Sequence, residues 1–299
     1  MPKDLMTLKD LTRAELKETL DLAIRYKQDR TLDNDVLKNK TIGMIFLKNS
    51  TRTRVSFETG INQLGGYPMF LDQNSLQIGR GEPMEDTARV LSRYLEGIVI
   101  RGHGHSEIKR FADYCDIPVI NALTDLYHPC QLLADLQLML EHKGSLEGQK
   151  VAFMGDCASN LANSWILAAD MTGLELHLGG PEGFHPDPAL IASLDNPDLI
   201  KVHTDAKDAA DAANYIYTDV WVSMGFEEEK GDRSKVFFPY QVNQELLDVA
   251  KQDVKVMHCL PAYRGQEITA DVLEGKHSVV WDEAENRLHA QKAVMTLKF

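Results

Sequence analysis

The stretch TIGMIFLKNSTRTRVSFE, residues 41–58, contains one complete strand, loop and helix pattern. Its apolar run ends at Leu47 without the alternation of a half-exposed strand, which is typical of strands covered on both faces. A polar loop follows, and Val55, Phe57 and Ile61 then recur at helical spacing. The order predicts one βα unit of a parallel sheet.

The same alternation of strand and helix continues along the chain. Further strands are predicted at YPMFLD from Tyr67, GIVIR from Gly97, IPVINAL from Ile117, KVAFMG from Lys150, LELHLGG from Leu174, IKVHTD from Ile200, ANYIYTDVW from Ala213, VKVMHCL from Val254 and SVVWDE from Ser278. Helices are predicted over EPMEDTARVLSRYLEG, HPCQLLADLQLMLEHKG and DEAENRLHAQKAVMTLKF. The pattern predicts an α/β protein with two domains, each a parallel β-sheet flanked by helices.

A polar segment with two glycines, EHKGSLEGQK, separates the two sets of strands. We therefore predict a first domain over residues 1–143 and a second over 144–282. Residues 283–299 are predicted to form a C-terminal helix that packs back on the first domain.

Composition excludes several classes of protein. The 299 residues are 43% hydrophobic and include 45 acidic against 32 basic side chains, a formal net charge of −13. The chain is therefore globular, and its charge argues against nucleic-acid or anionic-membrane binding. No apolar run approaches the ~20 residues that span a bilayer, and no secretory signal is visible. Four scattered cysteines indicate free thiols and a cytoplasmic location.

An anion site is predicted where the helix after Leu47 begins. Ser50 and Thr51 stand at the helix start, where free backbone N–H groups and the helix dipole favour an oxyanion. An ordinary N-cap with surface arginines is the alternative. Arg52 and Arg54 point roughly 200° apart on a helix. Because Arg54 can pair with Glu58, we assign Arg52 to the phosphate and Arg54 to structure.

Other polar residues stand where predicted strands end or helices begin. His128 and Gln131 flank a helix start at Pro129, where both could donate to a carbonyl oxygen, and Arg101 closes a buried strand. Asp219 and Ser223, four apart, could receive an α-ammonium group. The alternatives are a structural histidine, a surface arginine and an aspartate that caps a turn.

The residue spacings that are typical of nicotinamide, NTPase and metal-binding motifs are not found in the sequence. The turn after KVAFMG has no GxGxxG, so a nicotinamide cofactor is not expected, and no GxxxxGK[ST] indicates an NTPase. His103 with His105, and His258 with Cys259, lack further ligands at a recognised spacing. We expect no cofactor and no metal.

Three motifs together resemble the carbamoyltransferase family: STRTR at Ser50–Arg54, HPCQ at His128–Gln131 and HCLP at His258–Pro261. TDVWVSMG, MHCLPAYRGQEI and DEAENRLHAQKA are similar to its ornithine branch in particular, and the likeness runs over nearly the whole chain. Cys130 stands where this family commonly has Thr, and the chain is short for the family.

The resemblance implies a role for each matching residue. It implies catalytic roles for Arg101, His128 and Cys259. Carbamoyl phosphate would be bound by Ser50, Thr51, Arg52, Thr53, Gln77, Arg101, His128, Gln131, Cys259, Leu260 and Arg287. L-Ornithine would be bound by Asn160, Asp219, Ser223 and Met224.

The resemblance also implies a reaction and an assembly. The δ-amine of L-ornithine would attack carbamoyl phosphate in an interdomain cleft, giving L-citrulline and phosphate in the arginine pathway. Cys259 or the leaving phosphate would accept the amine proton. The chain would form a homotrimer, or a larger assembly of trimers, in which Gln77 reaches a neighbouring site.

Rival functions are transfer to putrescine or an N-acylated ornithine, a non-catalytic regulatory subunit, and a nicotinamide oxidoreductase.

Overall fold

The computed structural model describes residues 4–221 and 230–299, and for residues 75, 79 and 230–232 it describes the backbone alone. The chain divides into two compact units. Unit 1 comprises residues up to Gln137 together with Glu285–Phe299, and unit 2 comprises Leu138–Ala284. Within the described ranges, none of the helices is both long and apolar enough to cross a bilayer.

Strands and helices alternate along both units. The first part of the chain contains α1 (Arg13–Gln28), β1 (Thr41–Phe46), α2 (Thr51–Gln63), β2 (Tyr67–Asp72), α3 (Met84–Leu91), β3 (Gly97–Arg101), α4 (His105–Asp113), β4 (Val119–Leu123) and α5 (Pro129–Lys143). The second part contains β5 (Lys150–Met154), α6 (Asn160–Thr172), β6 (Glu175–Gly179), α7 (Pro188–Ala192), β7 (Ile200–His203), α8 (Ala206–Ala210), β8 (Tyr215–Thr218), α9 (Lys230–Phe237), α10 (Gln244–Leu247), β9 (Lys255–His258), α11 (Ala270–Leu273) and α12 (Val280–Lys298).

The sheet of unit 1 is parallel, in the order β2-β1-β3-β4. β1 and β3 are buried almost throughout, as their unbroken apolar runs predict. Phe46 at the end of β1 is in register with Arg101 at the end of β3. The chain leaves these neighbouring strands in opposite directions across the sheet, and ligands of open α/β sheets bind at such a point.

The sheet of unit 2 is also parallel, in the order β7-β6-β5-β8-β9, so the predicted fold class is confirmed. Met154, Thr218 and His258 end β5, β8 and β9 in one register. The strand order reverses between β5 and β8. The loops that follow β5, β8 and β9 therefore emerge side by side at one edge of unit 2.

The C-terminal part of α12 packs on unit 1, as predicted. The Tyr26 and Thr296 hydroxyls are hydrogen-bonded at 2.7 Å, and Lys40 Nζ donates to the carbonyl oxygen of Phe299 at 2.6 Å. Gly60 lets α12 lie close to α2, since a Cβ at that position would stand 3.0 Å from Met295 Cε. This packing carries Arg287 into unit 1.

The predicted strand SVVWDE from Ser278 is wrong. Ser278 makes one isolated bridge to Val256, and helix α12 begins at Val280. Asp282 and Glu283 lie in the first turn of α12, where they complement the helix dipole. A short apolar run alone cannot distinguish a buried strand from the start of a buried helix.

Candidate active site

The start of α2 has the local geometry that its sequence predicts. Ser50 is the N-cap residue, and its Oγ accepts a hydrogen bond from the Thr53 backbone N–H at 3.3 Å. Thr51 and Arg52, in the first turn, have exposed side chains. The N–H groups of Thr51 and Arg52 and the positive end of the helix dipole therefore face the side where an anion could bind.

Two buried arginines converge on the hydroxyl of Thr53. Arg101 donates to Thr53 Oγ1 from Nη1 at 3.3 Å, and Arg287 donates to the same oxygen from Nη2 at 3.2 Å. One guanidinium comes from the end of β3 and the other from α12, so residues far apart in the sequence meet here. Two cations beside a helix N-terminus form a site for a small, highly charged anion.

Gln131 extends this cluster along the first turn of α5. Its Oε1 accepts from Arg287 Nη1 at 2.6 Å, while its Nε2 donates to Asp135 Oδ1 at 2.8 Å. The Asp135 carboxylate can only accept, so it fixes which end of the Gln131 amide faces Arg287. Asp135, which the sequence did not single out, thereby orients Gln131.

His128 lies buried at the start of the same helix. Burial, with the Arg287 and Arg101 guanidinium groups as further causes, lowers the His128 pKa well below its usual range. The imidazole is therefore neutral at physiological pH and can act as a hydrogen-bond donor without carrying charge. Burial also raises the pKa of the neighbouring Cys130 thiol to about 12, which makes that cysteine unreactive.

The predicted contact between Arg54 and Glu58 is present. The Arg54 guanidinium stacks 3.6 Å from the centre of the Phe70 ring and lies 3.4 Å from the Glu58 carboxylate. Arg54 thus contacts Phe70 and Glu58, and the assignment of Arg52 to the phosphate stays a prediction. Lys48, which the sequence did not single out, lies near Arg101, and burial and then the Arg101 charge lower the pKa of its ammonium group.

Gln77 does not join these residues. It begins the short 3-10 turn Gln77–Arg80, and its side chain is exposed. The hydrogen bonds that connect Thr53, Gln131 and Arg287 do not include it.

In unit 2, Asp219 and Cys259 meet at the edge where β8 and β9 end. The Cys259 thiol donates to Asp219 Oδ1 at 3.0 Å, and the Val220 N–H donates to the same oxygen at 2.7 Å. Burial raises the Asp219 pKa, although the Cys259 hydrogen bond acts in the opposite direction. The site therefore combines a partly desolvated carboxylate with a thiol.

His258 fixes the turn that carries Cys259. Its Nδ1 accepts from the Leu260 N–H at 2.9 Å, and its Nε2 lies 3.1 Å from Glu267 Oε1. The backbone N–H of His258 donates to Glu283 Oε2 at 2.8 Å. Leu260 has φ +56°, in the left-handed region that leucine rarely adopts.

Asp219, His258 and Cys259 place three possible metal-ligand atoms within 4.8 Å of one another. Both ring nitrogens of His258 already take part in hydrogen bonds, to Leu260 and Glu267. The imidazole could bind a metal only by giving up one of them, so this cluster does not fit a structural metal site.

The predicted ornithine residues are partly described. Asn160 is the first residue of α6, directly after the N-cap residue Ser159 and the loop that follows β5. Asn160 and Asp219 thus follow neighbouring strands. Ser223 and Met224 lie outside the described residues.

Comparisons with known proteins match each part of the chain to one domain of a known family. The family described as "Aspartate/ornithine carbamoyltransferase, carbamoyl-P binding domain" matches residues 3–141, and "Aspartate/ornithine carbamoyltransferase, Asp/Orn binding domain" matches residues 147–297. An ornithine carbamoyltransferase of Carboxydothermus hydrogenoformans is 51% identical, over 99% of this chain and 97% of that protein.

Solved structures of ornithine carbamoyltransferases are also similar to this chain. The ornithine carbamoyltransferase structure from Pyrococcus furiosus has a TM-score of 0.93 and 45% identity, covering 98% of this chain and 96% of that one. The corresponding Thermus thermophilus structure has a TM-score of 0.92 and 38% identity, covering 100% and 99%. The likeness therefore extends over both units.

Proposed function

The chain belongs to the aspartate/ornithine carbamoyltransferase family, and we propose that it transfers the carbamoyl group of carbamoyl phosphate to the δ-amine of L-ornithine, giving L-citrulline and phosphate. The reaction belongs to arginine biosynthesis. The observation that carries the proposal is the convergence of Arg101 and Arg287 on Thr53 at a helix N-terminus, in the part of the chain that matches the carbamoyl-phosphate-binding family.

Unit 1 is proposed to bind carbamoyl phosphate. The phosphate would occupy the α2 N-terminus, held by Ser50–Thr53 and by Arg287. Arg101, His128 and Gln131 would hold the carbamoyl end, where negative charge develops on the carbonyl oxygen during attack. Neutral His128 suits this role, because it donates a hydrogen bond without a large change in charge. Phosphate is a good leaving group, so no covalent intermediate is needed.

Unit 2 is proposed to bind L-ornithine. Asp219 would accept the α-ammonium group, together with Ser223 and the Met224 backbone, and Asn160 would bind nearby. Cys259 and Leu260 would lie where the δ-amine meets the carbamoyl carbon. The δ-amine must be neutral to attack, and Cys259 and the departing phosphate are the two candidate acceptors of its proton.

A panel of amines tests this function. Purified protein is incubated with carbamoyl phosphate and, separately, L-ornithine, putrescine, an N-acylated ornithine and L-aspartate, and the ureido product is measured. We expect product with L-ornithine alone, since putrescine lacks the α-carboxylate and the acylated amine lacks the α-ammonium group that Asp219 would bind. Product with another amine would replace ornithine as the substrate. Absence of any product would overturn the transferase assignment.

We propose a homotrimer with sites shared between subunits. Support comes from exposed apolar side chains on α2 and the edge strand β2, namely Val55, Tyr67 and Met69. An apolar sheet edge favours association, and a second copy would cover it.

We also propose domain limits at 143/144 and 282/283, and a cytoplasmic location, which the four free cysteines support.

Subunit mixing tests the shared site. If Gln77 reaches a neighbouring site, Arg52→Met and Gln77→Ala damage different components of one site. Unfolding the two weakly active variants together and refolding them should then restore part of the activity, because some mixed sites contain both native residues. Light scattering should give a mass three times 33.6 kDa. A monomeric mass, or no recovery on mixing, would contradict the shared trimer.

A further inference from the structure

We infer that Glu267 is a positioning residue that acts through the imidazole of His258 on the turn carrying Cys259 and Leu260. The inference rests on the proposed function in one respect, that this turn is where the amine meets the carbamoyl carbon. Glu267 itself is not expected to touch either substrate.

The hydrogen bonds of His258 fix its tautomer. The Leu260 N–H donates to His258 Nδ1 at 2.9 Å, so Nδ1 must present a lone pair. The proton of the neutral ring is then on Nε2, which donates to Glu267 Oε1 at 3.1 Å. The hydrogen bond at one ring nitrogen sets the protonation of the other. Glu267 therefore selects the tautomer that Leu260 requires.

Glu267 also holds the other end of the turn. Glu267 Oε1 also accepts from the backbone N–H of Tyr263, while the His258 N–H donates to Glu283. One carboxylate oxygen thus ties the beginning and the end of the segment 258–263. The side chains of His258 and Glu267 are both 0% exposed, so water does not compete for these hydrogen bonds.

The conformation of Leu260 depends on these hydrogen bonds. Leu260 occupies the left-handed region, which a leucine keeps only when its surroundings hold it there. Without the acceptor at Glu267, the ring could place its proton on Nδ1, facing the Leu260 N–H donor to donor. The turn would then shift, and with it the 3.0 Å contact between Cys259 and Asp219.

The test compares Glu267→Leu with Glu267→Gln. Gln keeps a carbonyl oxygen for His258 and Tyr263, whereas Leu keeps the volume without an acceptor. We expect Glu267→Leu to lower kcat by about 10- to 100-fold, the scale of a small misplacement of reacting groups. The affinity for carbamoyl phosphate should change far less than kcat, because unit 1 is proposed to hold its phosphate. Glu267→Gln should retain most activity, and the exposed control Glu245→Leu should retain all of it.

A second readout does not depend on activity. Nitrogen-15 NMR of histidine-labelled protein reports which ring nitrogen of His258 carries the proton. We expect Nε2–H in the native protein and in Glu267→Gln. In folded Glu267→Leu we expect a mixture of tautomers. If that variant does not fold, the native tautomer still decides, since Nδ1–H in the native protein would overturn the inference.

The outcomes separate the two proposals. If the native protein does not carbamoylate L-ornithine, the proposed function fails, while the tautomers still test the coupling of Glu267 to the turn. If the native protein carbamoylates L-ornithine but Glu267→Leu keeps full kcat, the inference is overturned and the function stands. Equal losses in the Leu and Gln variants with unchanged tautomers would also overturn it.

Discussion

Arg52→Met is expected to lower kcat/KM for carbamoyl phosphate by on the order of 10³, while Arg54→Met leaves it nearly unchanged. Removing one preorganised donor to a transition-state oxyanion typically costs this much. Arg52 extends from the first turn of α2, where the phosphate is proposed to bind. The Arg54 side chain is instead engaged with Phe70 and Glu58.

Arg54→Met is the matched control for Arg52→Met, because the same substitution is made two residues apart in one helix. The loss for Arg52→Met should appear in steady-state kinetics and in a direct binding measurement with carbamoyl phosphate. Urea denaturation should show both variants folded, with Arg54→Met less stable by no more than about 1 kcal/mol, the scale of an exposed ion pair. Equal kinetic losses in both variants would reject the assignment of Arg52 to the phosphate.

Much of the fold was predictable because buried parallel strands have a distinctive pattern. The runs at Thr41 and Gly97 are too apolar for surface strands, and both are central in the sheet of unit 1. The error at Ser278 has a physical cause. Val279 and Val280 are buried at the start of a helix, and short apolar runs look the same in either secondary structure.

The candidate site was predictable where a motif and a local rule coincided. Ser50 caps α2 because a hydroxyl before an apolar helical pattern is a local signal. Asp135, Glu267 and Glu283 were not selected, since each acts through a side-chain or backbone partner that the sequence does not reveal. Asp135 does stand four residues after Gln131 on α5, a spacing that could have identified it as a partner.

Both units place their candidate residues by the same rule. Arg101 and the α2 N-terminus lie where the strand order of unit 1 reverses, and Asp219 and Asn160 follow the two strands at which unit 2 reverses. The carboxyl edge of each sheet thus gathers residues from loops far apart in sequence. Unit 1 presents guanidinium groups there, and unit 2 presents a carboxylate, which matches one anionic and one cationic substrate group.

Asp219→Asn should raise KM for L-ornithine several hundredfold while the affinity for carbamoyl phosphate is unchanged. Losing one partner of a desolvated charge pair costs about 3–4 kcal/mol, and roughly 1.4 kcal/mol corresponds to tenfold. Asn keeps the oxygen that accepts from Cys259 and Val220, so the substitution removes charge alone. Asp205→Asn, at the N-cap of α8, is the matched control and should have no effect.

The pH dependence of the native protein, compared with that of Asp219→Asn, identifies the carboxylate. Burial raises the Asp219 pKa, so the native carboxyl takes up its proton at a higher pH than an ordinary aspartate and then loses its attraction for the α-ammonium group. Protonation of the substrate δ-amine affects both proteins alike. The native-to-variant ratio of kcat/KM for L-ornithine should therefore shrink as pH falls towards that raised pKa. A ratio that stays constant across acidic pH, or a loss confined to carbamoyl phosphate, would remove Asp219 from the ornithine site.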